Sequence, residues 1–317
     1  MENNIPKMSM LKWLFMVLLI LVALGFVVLQ IINGWSGLKS QTWSFSPFEL
    51  VISILLLLSN FLLTVYAWLV IFHDLGEKIS FRQCFAILFT AQIGRYIPGK
   101  VWLVLGQLYM AEQMGFRKSS ALTASILQNV AGMLAGLLMI AITALVSGFD
   151  IWLVWLSLCI SAAGLIIFIL APAQLEIWIN KWRVRRKQQP VKLTISKAAL
   201  IKIVMVMLTG WAVLCAAFIS LVSSLTTIDP DGVLQLAFAY IFAYYIGLLI
   251  LIVPGGIGVR EGALSYFLVS HFGPAMAGII ALIQRLWYVF VELLCFMLAA
   301  AMARKEMKAL LRLKKHV

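Results

Sequence analysis

Two short charged segments interrupt long apolar regions of the sequence, and both have residues suited to binding an anion. The first is GRYIPGK, residues 94–100, and the second is PGGIGVREG, residues 254–262. Proline ends a helix, and glycine permits unusual dihedral angles. The backbone N–H groups freed at the start of the next helix can point at an anion. Each segment also carries arginine, whose forked, permanent cation suits phosphate. The sequence therefore predicts a phosphate-binding site.

The residues of this predicted site come from both segments. Those expected to bind a lipid phosphate are Arg95, Lys100, Arg260, Gly255, Gly256 and Gly258. Those expected to break the helices are Pro98, Gly99 and Pro254. As an alternative, the cationic side chains could extend to the lipid head groups at the surface. The role of Glu261 stays open: it could neutralise Arg260, pair with Arg95, carry a proton, or lie in the first turn of the half-helix, where the dipole favours a carboxylate.

The last apolar region adds polar side chains that could face the two breaks. Arg285 and Glu292 are seven residues apart and so share one face of a helix. We expect this pair, with Glu261, to tune the charge of the site or to couple it to a proton. The residues predicted to line a polar cavity are Gln92, Gln107, Asn129 and Gln284. For Asn129, as for the neighbouring Gln128, the alternative role is hydrogen bonding between helices.

The composition predicts that membrane-spanning helices hold these residues. Of the 317 residues 63% are hydrophobic, and the mean hydropathy is +1.04. Soluble domains are only about 45–50% apolar, so a soluble catalytic domain of useful size is excluded. The net charge of +13 lies in short loops, which fits the positive-inside rule better than nucleic-acid binding. The four Cys and three His are scattered, so we expect neither metal nor cofactor.

The lengths of the apolar stretches predict six full spans, since about 20 residues cross a bilayer. The six stretches are 11–32, 48–72, 119–147, 151–172, 198–224 and 275–303. Two further apolar regions, 80–114 and 233–272, contain the charged breaks. The basic residues of 173–197 and of the tail, 304–317, predict that both are cytoplasmic. With the loop and the tail on the cytoplasmic side, the number of crossings requires each broken region to enter and leave the membrane on the same side. The two broken regions are therefore predicted to be re-entrant hairpins that enter from opposite faces.

The order of elements repeats along the chain. Each half reads span, span, hairpin, span, and Pro98 and Pro254 are 254 − 98 = 156 positions apart. We therefore predict an all-α polytopic membrane protein, one transmembrane domain over 1–317. It would have six full spans plus two re-entrant broken-helix hairpins in an inverted repeat of 11–147 and 151–303. The alternative is eight ordinary helices with two proline kinks.

The charged segments are also where the chain resembles a known family. QIGRYIPGKVW (92–102) and VPGGIGVREGAL (253–264) resemble the signature segments of the flippase-like family named after the transmembrane region of lysylphosphatidylglycerol synthase. The layout is similar over nearly the whole chain. The resemblance implies movement of lipids, or lipid-linked sugars, between leaflets. Some members also carry a soluble aminoacyl-transferase domain. Because only a basic tail follows the last span here, the synthase activity is not expected.

These observations predict a lipid translocase rather than an enzyme. It would move an anionic phospholipid or a polyprenyl-phosphate-linked sugar between leaflets through a polar cavity at the hairpin tips. No GxxxxGK[ST] loop is visible, so transport would be uncoupled or ion-driven. The alternative is a membrane subunit or enzyme of envelope polysaccharide or glycolipid assembly, which the 12 Asp plus Glu and the lack of D-x-x-D disfavour.

The same reading predicts partners and location. The expected partner is the anionic lipid or lipid-linked glycan, with a homo-oligomer or envelope-assembly partners as further options. We expect a multi-pass protein of the bacterial inner membrane with both termini cytoplasmic.

Overall fold

The computed structural model describes residues 45–96, 101–146, 151–170, 195–250 and 256–314, together with six isolated positions. These positions are 29, 32, 176, 177, 180 and 181. Several sequence predictions fall outside the described residues: almost all of the span 11–32, most of the basic loop, and five of the predicted site residues in the charged segments. These five are Pro98, Gly99, Lys100, Pro254 and Gly255.

All regular structure in the described residues is helical. The helices are α1 (Pro47–Asp74), α2 (Phe81–Ala91), α3 (Val101–Gln113), α4 (Lys118–Val146), α5 (Ile151–Leu170), α6 (Lys197–Ser223), α7 (Val233–Leu249) and α8 (Val259–Lys314). Two short 3-10 helices, Gln92–Tyr96 and Pro230–Gly232, precede α3 and α7.

Within the described ranges, five helices are long and apolar enough to cross a membrane. These are α1, α4, α5, α6 and the Val259–Arg304 part of α8. They coincide with five of the six predicted full spans, and the sixth lies outside the described residues. The described part of the chain is therefore all-helical, and the chain is a multi-pass membrane protein. The exact span count and the re-entrant course of the broken regions stay predictions.

Helix α8 consists of two arms joined by a sharp bend. Gly273 has φ 73° and ψ 166°, and Pro274 follows it. Glu261 and Arg285 are 24 residues apart, which is about 36 Å along a straight helix. Their side chains nevertheless meet, with 3.5 Å between the Arg285 Nε and Glu261 Oε1 atoms. The chain therefore turns back at Gly273, between the predicted half-helix and the predicted last span.

Helices α3 and α4 are joined by a similar bend in the first half of the chain. Gly115, between them, has φ 85°. Across this bend the Ser125 hydroxyl donates a hydrogen bond of 2.7 Å to Oε1 of Gln107. Gly115 and Gly273 are 273 − 115 = 158 positions apart, close to the separation of the two prolines. Each half therefore places a left-handed glycine between its broken region and its following span.

Helices α1 and α6, the second spans of the two halves, lie side by side and run antiparallel. Hydrogen bonds join them at three places: Ser46 N–H to Ser224 O at 3.0 Å, Asn60 Nδ2 to Gly210 O at 2.7 Å, and Ser196 N–H to Asp74 Oδ2 at 2.7 Å. At the third place the Ser196 hydroxyl also donates to Asp74 Oδ1 at 2.7 Å. In each pair the two residue numbers sum to 270, so all three pairs belong to a single antiparallel register. Ser46 and Ser196 are also the N-caps of the two helices. Corresponding helices thus run in opposite directions, which supports the predicted inverted repeat.

Each broken region packs against the opposite half of the chain. In the first half, α2 packs against α8, and in the second half, α7 packs against α4. This exchange brings the first break, at Gln92–Tyr96, next to the residues that follow the second break.

The corner between α1 and α2 is fixed by a carboxylate outside the spans. Glu77 Oε1 accepts hydrogen bonds from Arg117 Nε at 2.7 Å and from the Ser120 hydroxyl at 2.8 Å. Burial raises the pKa of Glu77, but these hydrogen bonds outweigh burial and hold the pKa below its ordinary value. The contribution of this corner to stability is therefore present above the ordinary pKa and is lost as the pH falls through the lowered one.

Candidate functional site

A cavity of about 210 Å³ opens beside the first break, among α1, α4, α6 and α7. Its polar side chains are Asn60, Thr64, Gln92, Arg95, Gln128 and Asn129. Its aromatic side chains are Phe61, Phe89, Trp211, Tyr244, Tyr245 and Tyr288. No carboxylate belongs to the described lining of this cavity.

Two of the four predicted cavity residues lie elsewhere. Gln92 and Asn129 line the cavity. Gln107 instead contacts Ser125 between α3 and α4, and Gln284 is fully buried with its amide nitrogen 3.4 Å from the Tyr240 hydroxyl. Both side chains project from helix faces that pack against other helices, so the prediction that these two residues line the cavity is wrong, and they form hydrogen bonds between helices instead.

Arg95 reaches the cavity from the 3-10 helix of the first break and is held there by Glu292. The Arg95 Nη1 and Glu292 Oε1 atoms are 3.2 Å apart, and the side chains are 29% and 4% exposed. Arg95 Nη1 also donates to the Tyr288 hydroxyl at 3.3 Å. The Tyr96 hydroxyl donates to the other carboxylate oxygen of Glu292. The guanidinium therefore faces the cavity, and its counter-charge lies behind it.

Arg260, from the second break, lies in a cage of tyrosine rings. The residue is 5% exposed. Its Cζ atom is 4.9 Å from the ring centroids of Tyr240 and Tyr244, and 5.6 Å from that of Tyr288. Its Nε and Nη2 atoms are buried without a hydrogen-bond partner in the described part of the chain. Since Tyr244 and Tyr288 line the cavity and Arg260 does not, the guanidinium lies behind these two rings.

Glu261 lies in the first turn of α8 and caps that helix. Its Oε2 accepts a 2.6 Å hydrogen bond from the backbone N–H of Gly258, as an N3 carboxylate does in a capping box. Its Oε1 is 3.5 Å from Arg285 Nε. Of the roles that the sequence left open for Glu261, the structure therefore shows the one in the first turn of the half-helix, where the helix dipole favours a carboxylate. The ion-pair partner is Arg285, and not Arg260 or Arg95, while a proton-carrying role stays a prediction.

This cap changes the interpretation of the glycine-rich segment. The sequence suggests that the N–H of Gly258 is free for a phosphate, but the structure shows it bound to the Glu261 carboxylate. Gly256 and Gly258 have φ of 68° and 84°. A Cβ atom at Gly256 would lie 3.2 Å from the carbonyl oxygen of Gly247 in α7. These glycines thus shape the start of α8 and let α7 approach it, and thereby position Arg260.

We expect the substitution Gly258→Ala to destabilise the protein by about 1–2 kcal/mol, because an L-residue in the left-handed region carries that strain. Alanine keeps the backbone N–H, so the cap by Glu261 can persist and the loss reports on the backbone. Thermal unfolding in detergent measures it. The matched control is Gly132→Ala, whose added Cβ would meet only Met207 Sδ at 3.6 Å. Equal stability of the two variants would contradict this role of Gly258.

The charged side chains described around the two breaks do not balance. Three guanidinium groups and two carboxylates meet there: Arg95, Arg260, Arg285, Glu261 and Glu292. Arg95 contacts Glu292, and Arg285 contacts Glu261. Within the described residues Arg260 has no carboxylate within ion-pair distance, so this cluster carries 3 − 2 = 1 net positive charge. No group of three or more His, Cys, Asp or Glu side chains in these residues could hold a metal.

The sequence interpretation missed the tyrosines that surround the two arginines. Tyr240, Tyr244 and Tyr288 cage Arg260, and Tyr96 binds Glu292. A signal was present, because three of them occur in the middle of apolar stretches, whereas tyrosine in membrane proteins concentrates at the interfaces. Asn60, in the middle of α1, was missed as well.

The model of the family described as the lysylphosphatidylglycerol synthase TM region matches residues 13–295. The match includes both charged segments and every helix from α1 to α7. No curated protein matches the chain.

Proposed function

The chain belongs to the lysylphosphatidylglycerol synthase TM region family, and from this premise we propose that it is a lipid translocase. The family places the chain among membrane proteins related to lipid or glycolipid handling. Our proposal is that this chain moves a lipid with a phosphate-bearing head group between the leaflets. The head group enters the polar cavity, while the hydrocarbon chains stay in the bilayer.

One observation carries the proposal: Arg260 is a buried cation whose charge is not neutralised by the described protein. An isolated charge within a membrane costs several kcal/mol. Contacts with aromatic rings return about 0.5–2 kcal/mol each, and buried N–H donors without acceptors add a further cost. The tyrosine cage therefore offsets only part of the free-energy cost of burying Arg260. A bound anion would supply the missing charge.

The cavity supports the proposal because it gives such an anion a place to bind. Arg95 is at the cavity wall, where a phosphate can contact the guanidinium directly. Tyr288 connects the two cations, since its hydroxyl accepts from Arg95 and its ring faces Arg260. A phosphate at Arg95 would therefore lie in the field of both arginines. In a site of low dielectric this field is much stronger than in water.

The two carboxylates would then hold the arginines in place. Glu292 orients Arg95 toward the cavity, and Glu261 fixes the start of the helix that carries Arg260. In this proposal neither carboxylate contacts the lipid. This proposed role needs no covalent step, so the chain is not proposed as an enzyme.

A reconstituted assay tests the proposal. The purified chain is inserted into liposomes with a head-group-labelled anionic phospholipid, and an impermeant reagent destroys the label in the outer leaflet. We expect the loss of label to proceed beyond the outer-leaflet fraction only in vesicles that contain the protein. Loss that stops at that fraction, for phospholipid and for polyprenyl-phosphate sugar alike, would overturn the proposal.

In this assay we expect Arg95→Gln to slow translocation about tenfold, because it removes the cation at the cavity wall, and about 1.4 kcal/mol corresponds to tenfold. Glutamine retains polarity and much of the length of the side chain. The matched control is Arg82→Gln, since Arg82 is an exposed arginine in the first turn of α2. Equal rates in both variants would argue against phosphate binding at Arg95.

A further inference from the structure

The contact between α1 and α6 locates the two-fold axis that relates the two halves of the chain. The N-caps of these helices, Ser46 and Ser196, are 196 − 46 = 150 positions apart. Adding 150 to the number of Asn60 gives Gly210, which is the residue that Asn60 contacts. In a two-fold arrangement, a residue that contacts its own counterpart lies on the axis. The axis therefore passes between Asn60 and Gly210.

The cavity lies on this axis. Asn60 and Gly210 both line it, and so do two further pairs of counterparts from α1 and α6. The broken regions are offset by 156 positions, as their prolines are, and two of their pairs line the cavity as well. These four pairs are Phe61 with Trp211, Thr64 with Leu214, Phe89 with Tyr245, and Gln92 with Leu248. A ligand in the cavity is therefore within reach of both halves.

Helix α4 and the second arm of α8, which follows Pro274, are counterparts with this same offset of 156. Buried positions of α4 coincide with buried positions of the second arm, for example Ala121 with Ala277, Ala124 with Ile280, Ala131 with Trp287, and Ala135 with Val291. At this offset Gln128 and Asn129 correspond to Gln284 and Arg285. The two halves therefore carry polar side chains at matching positions.

The two sets of polar side chains have different environments. Gln128 and Asn129 line the cavity. Gln284 is fully buried, and its Oε1 atom has no hydrogen-bond partner in the described part of the chain. The Arg285 side chain is 16% exposed, and its Nε is 3.5 Å from Glu261 Oε1. The cavity thus extends along α4, whereas on the matching side α2 packs against α8.

The contacts of Gln284 and Arg285 can be exchanged for others at low cost. A buried acceptor without a partner is unfavourable, so Gln284 Oε1 would gain from water or a ligand. The 3.5 Å separation of Arg285 and Glu261 is long for a charge-assisted hydrogen bond, and Arg285 Cζ is 6.0 Å from the Tyr96 ring centroid. Glu261 also accepts from Gly258 N–H. Arg285 can therefore turn to a ligand without undoing the cap of α8.

We propose that the chain has a second state in which the halves exchange roles, and that Arg285 binds the lipid phosphate in that state. Gln284 and Arg285 then line the cavity between α2 and α8, as Gln128 and Asn129 line it here. An inverted repeat permits this exchange, because a conformation that one half adopts is also open to its counterpart.

The proposal gives the phosphate one arginine on each side of the axis. In this structure Arg95 faces the cavity, and Glu292 lies behind it. In the second state Arg285 faces the cavity, and Glu261 lies behind it. The head group leaves Arg95 and is received by Arg285. This inference rests on the proposed function and adds to it the cation that binds the phosphate on the opposite side.

Thiol labelling of the full-length chain in liposomes tests the second state. Gln284→Cys or Gln128→Cys is introduced into a chain whose native cysteines are replaced by alanine. We expect methyl methanethiosulfonate, a small uncharged reagent, to label both, although Gln284 is buried here. A chain that keeps only the native Cys215, buried in α6, is the control and should react at least tenfold more slowly. Labelling of Gln284→Cys as slow as that of Cys215 would overturn the inference.

A contact between α2 and the end of α8 gives a second measurement. Gln83 Nε2 donates to Glu306 Oε2 at 3.3 Å. Glu306→Ala removes this contact and should favour the second state, so we expect labelling of Gln284→Cys to become about threefold faster. The control is Glu112→Ala, which removes an exposed carboxylate near the end of α3 and should leave the rate unchanged. The same rate in both variants would contradict the second state.

Protection by a soluble phosphate tests the role of Arg285. The background carries Arg95→Gln and Glu292→Gln, so that the first cation is absent and no unpaired carboxylate replaces it. We expect glycerol 3-phosphate, but not glycerol, to slow the labelling of Gln284→Cys severalfold. Arg285→Gln should abolish this protection and Arg285→Lys should retain it, because the lysine keeps the charge. Protection that persists in Arg285→Gln would show that Arg285 does not bind the phosphate.

The outcomes separate this inference from the proposed function. Translocation in the liposome assay without labelling of Gln284→Cys would overturn the inference and leave the proposed function standing. Labelling and protection without translocation of either lipid would overturn the proposed function, and Arg285 would then bind an anion other than a transported lipid.

Discussion

Arg260→Met is expected to slow lipid translocation roughly 30-fold while the protein still folds. A phosphate about 8 Å from the guanidinium, at an effective dielectric of about 20, would be attracted to it by about 2 kcal/mol, which corresponds to roughly 30-fold in rate. Methionine fills much of the same volume among the tyrosine rings and removes a buried charge that lacks a carboxylate partner in the described residues. Folding should therefore be retained or improved, because an unpaired buried charge is costly.

The liposome assay measures the rate, and thermal unfolding in detergent checks the fold of the same sample. Arg304→Met is the matched control, because Arg304 is an exposed arginine near the C-terminal end of α8. A full translocation rate in Arg260→Met, with the fold intact, would contradict a role for this cation in transport. A rate that falls in the Arg304 variant as well would show a general effect of charge.

Glu292→Gln is expected to lower the free energy of unfolding by about 3 kcal/mol. The amide has nearly the same shape, but it leaves Arg95 without its carboxylate and replaces the acceptor of Tyr96. Breaking a buried ion pair by removing one partner costs about 3–5 kcal/mol. The lower end applies, because the Arg95 side chain is 29% exposed and can be partly solvated in the cavity.

Unfolding in mixed micelles measures this change against an exposed pair of the same types. The ion pair of Lys118 with Glu112 has a 2.7 Å contact, but its side chains are 55% and 48% exposed. Glu112→Gln should therefore cost less than about 1 kcal/mol. The double variant with Arg95→Gln and Glu292→Gln should recover part of the loss, since no unpaired charge remains. Equal losses of stability in Glu292→Gln and Glu112→Gln would show that the buried ion pair contributes no more to stability than the exposed one.

The spans could be predicted from the sequence because bilayer thickness and hydropathy set them. The predicted stretch 119–147 corresponds to α4, Lys118–Val146, and 198–224 corresponds to α6, Lys197–Ser223. The predicted boundary between 233–272 and 275–303 also coincides with the bend at Gly273, since the proline that follows interrupts a helix. These features depend on local composition alone.

The pairing of the charges could not be predicted, because it depends on how the helices pack. Arg285 and Glu292 share a face of α8, yet each contacts a different break, through Glu261 and Arg95 respectively. Only the packing of α2 against α8 brings Glu292 to Arg95. The amide side chains show the same limit, since hydropathy identifies a polar residue in a span but not the direction in which it points.

The antiparallel contact between α1 and α6 has a consequence for movement. Hydrogen bonds fix this pair at both ends, Ser46 to Ser224 and Ser196 to Asp74, and in the middle, Asn60 to Gly210. In transporters built from inverted repeats, alternating access commonly comes from one repeat rocking as a rigid body against the other. Here such rocking would strain three contacts in one register at once. Displacement of the broken regions alone would leave all three contacts intact. The α1–α6 pair is therefore suited to stay fixed while the broken regions move.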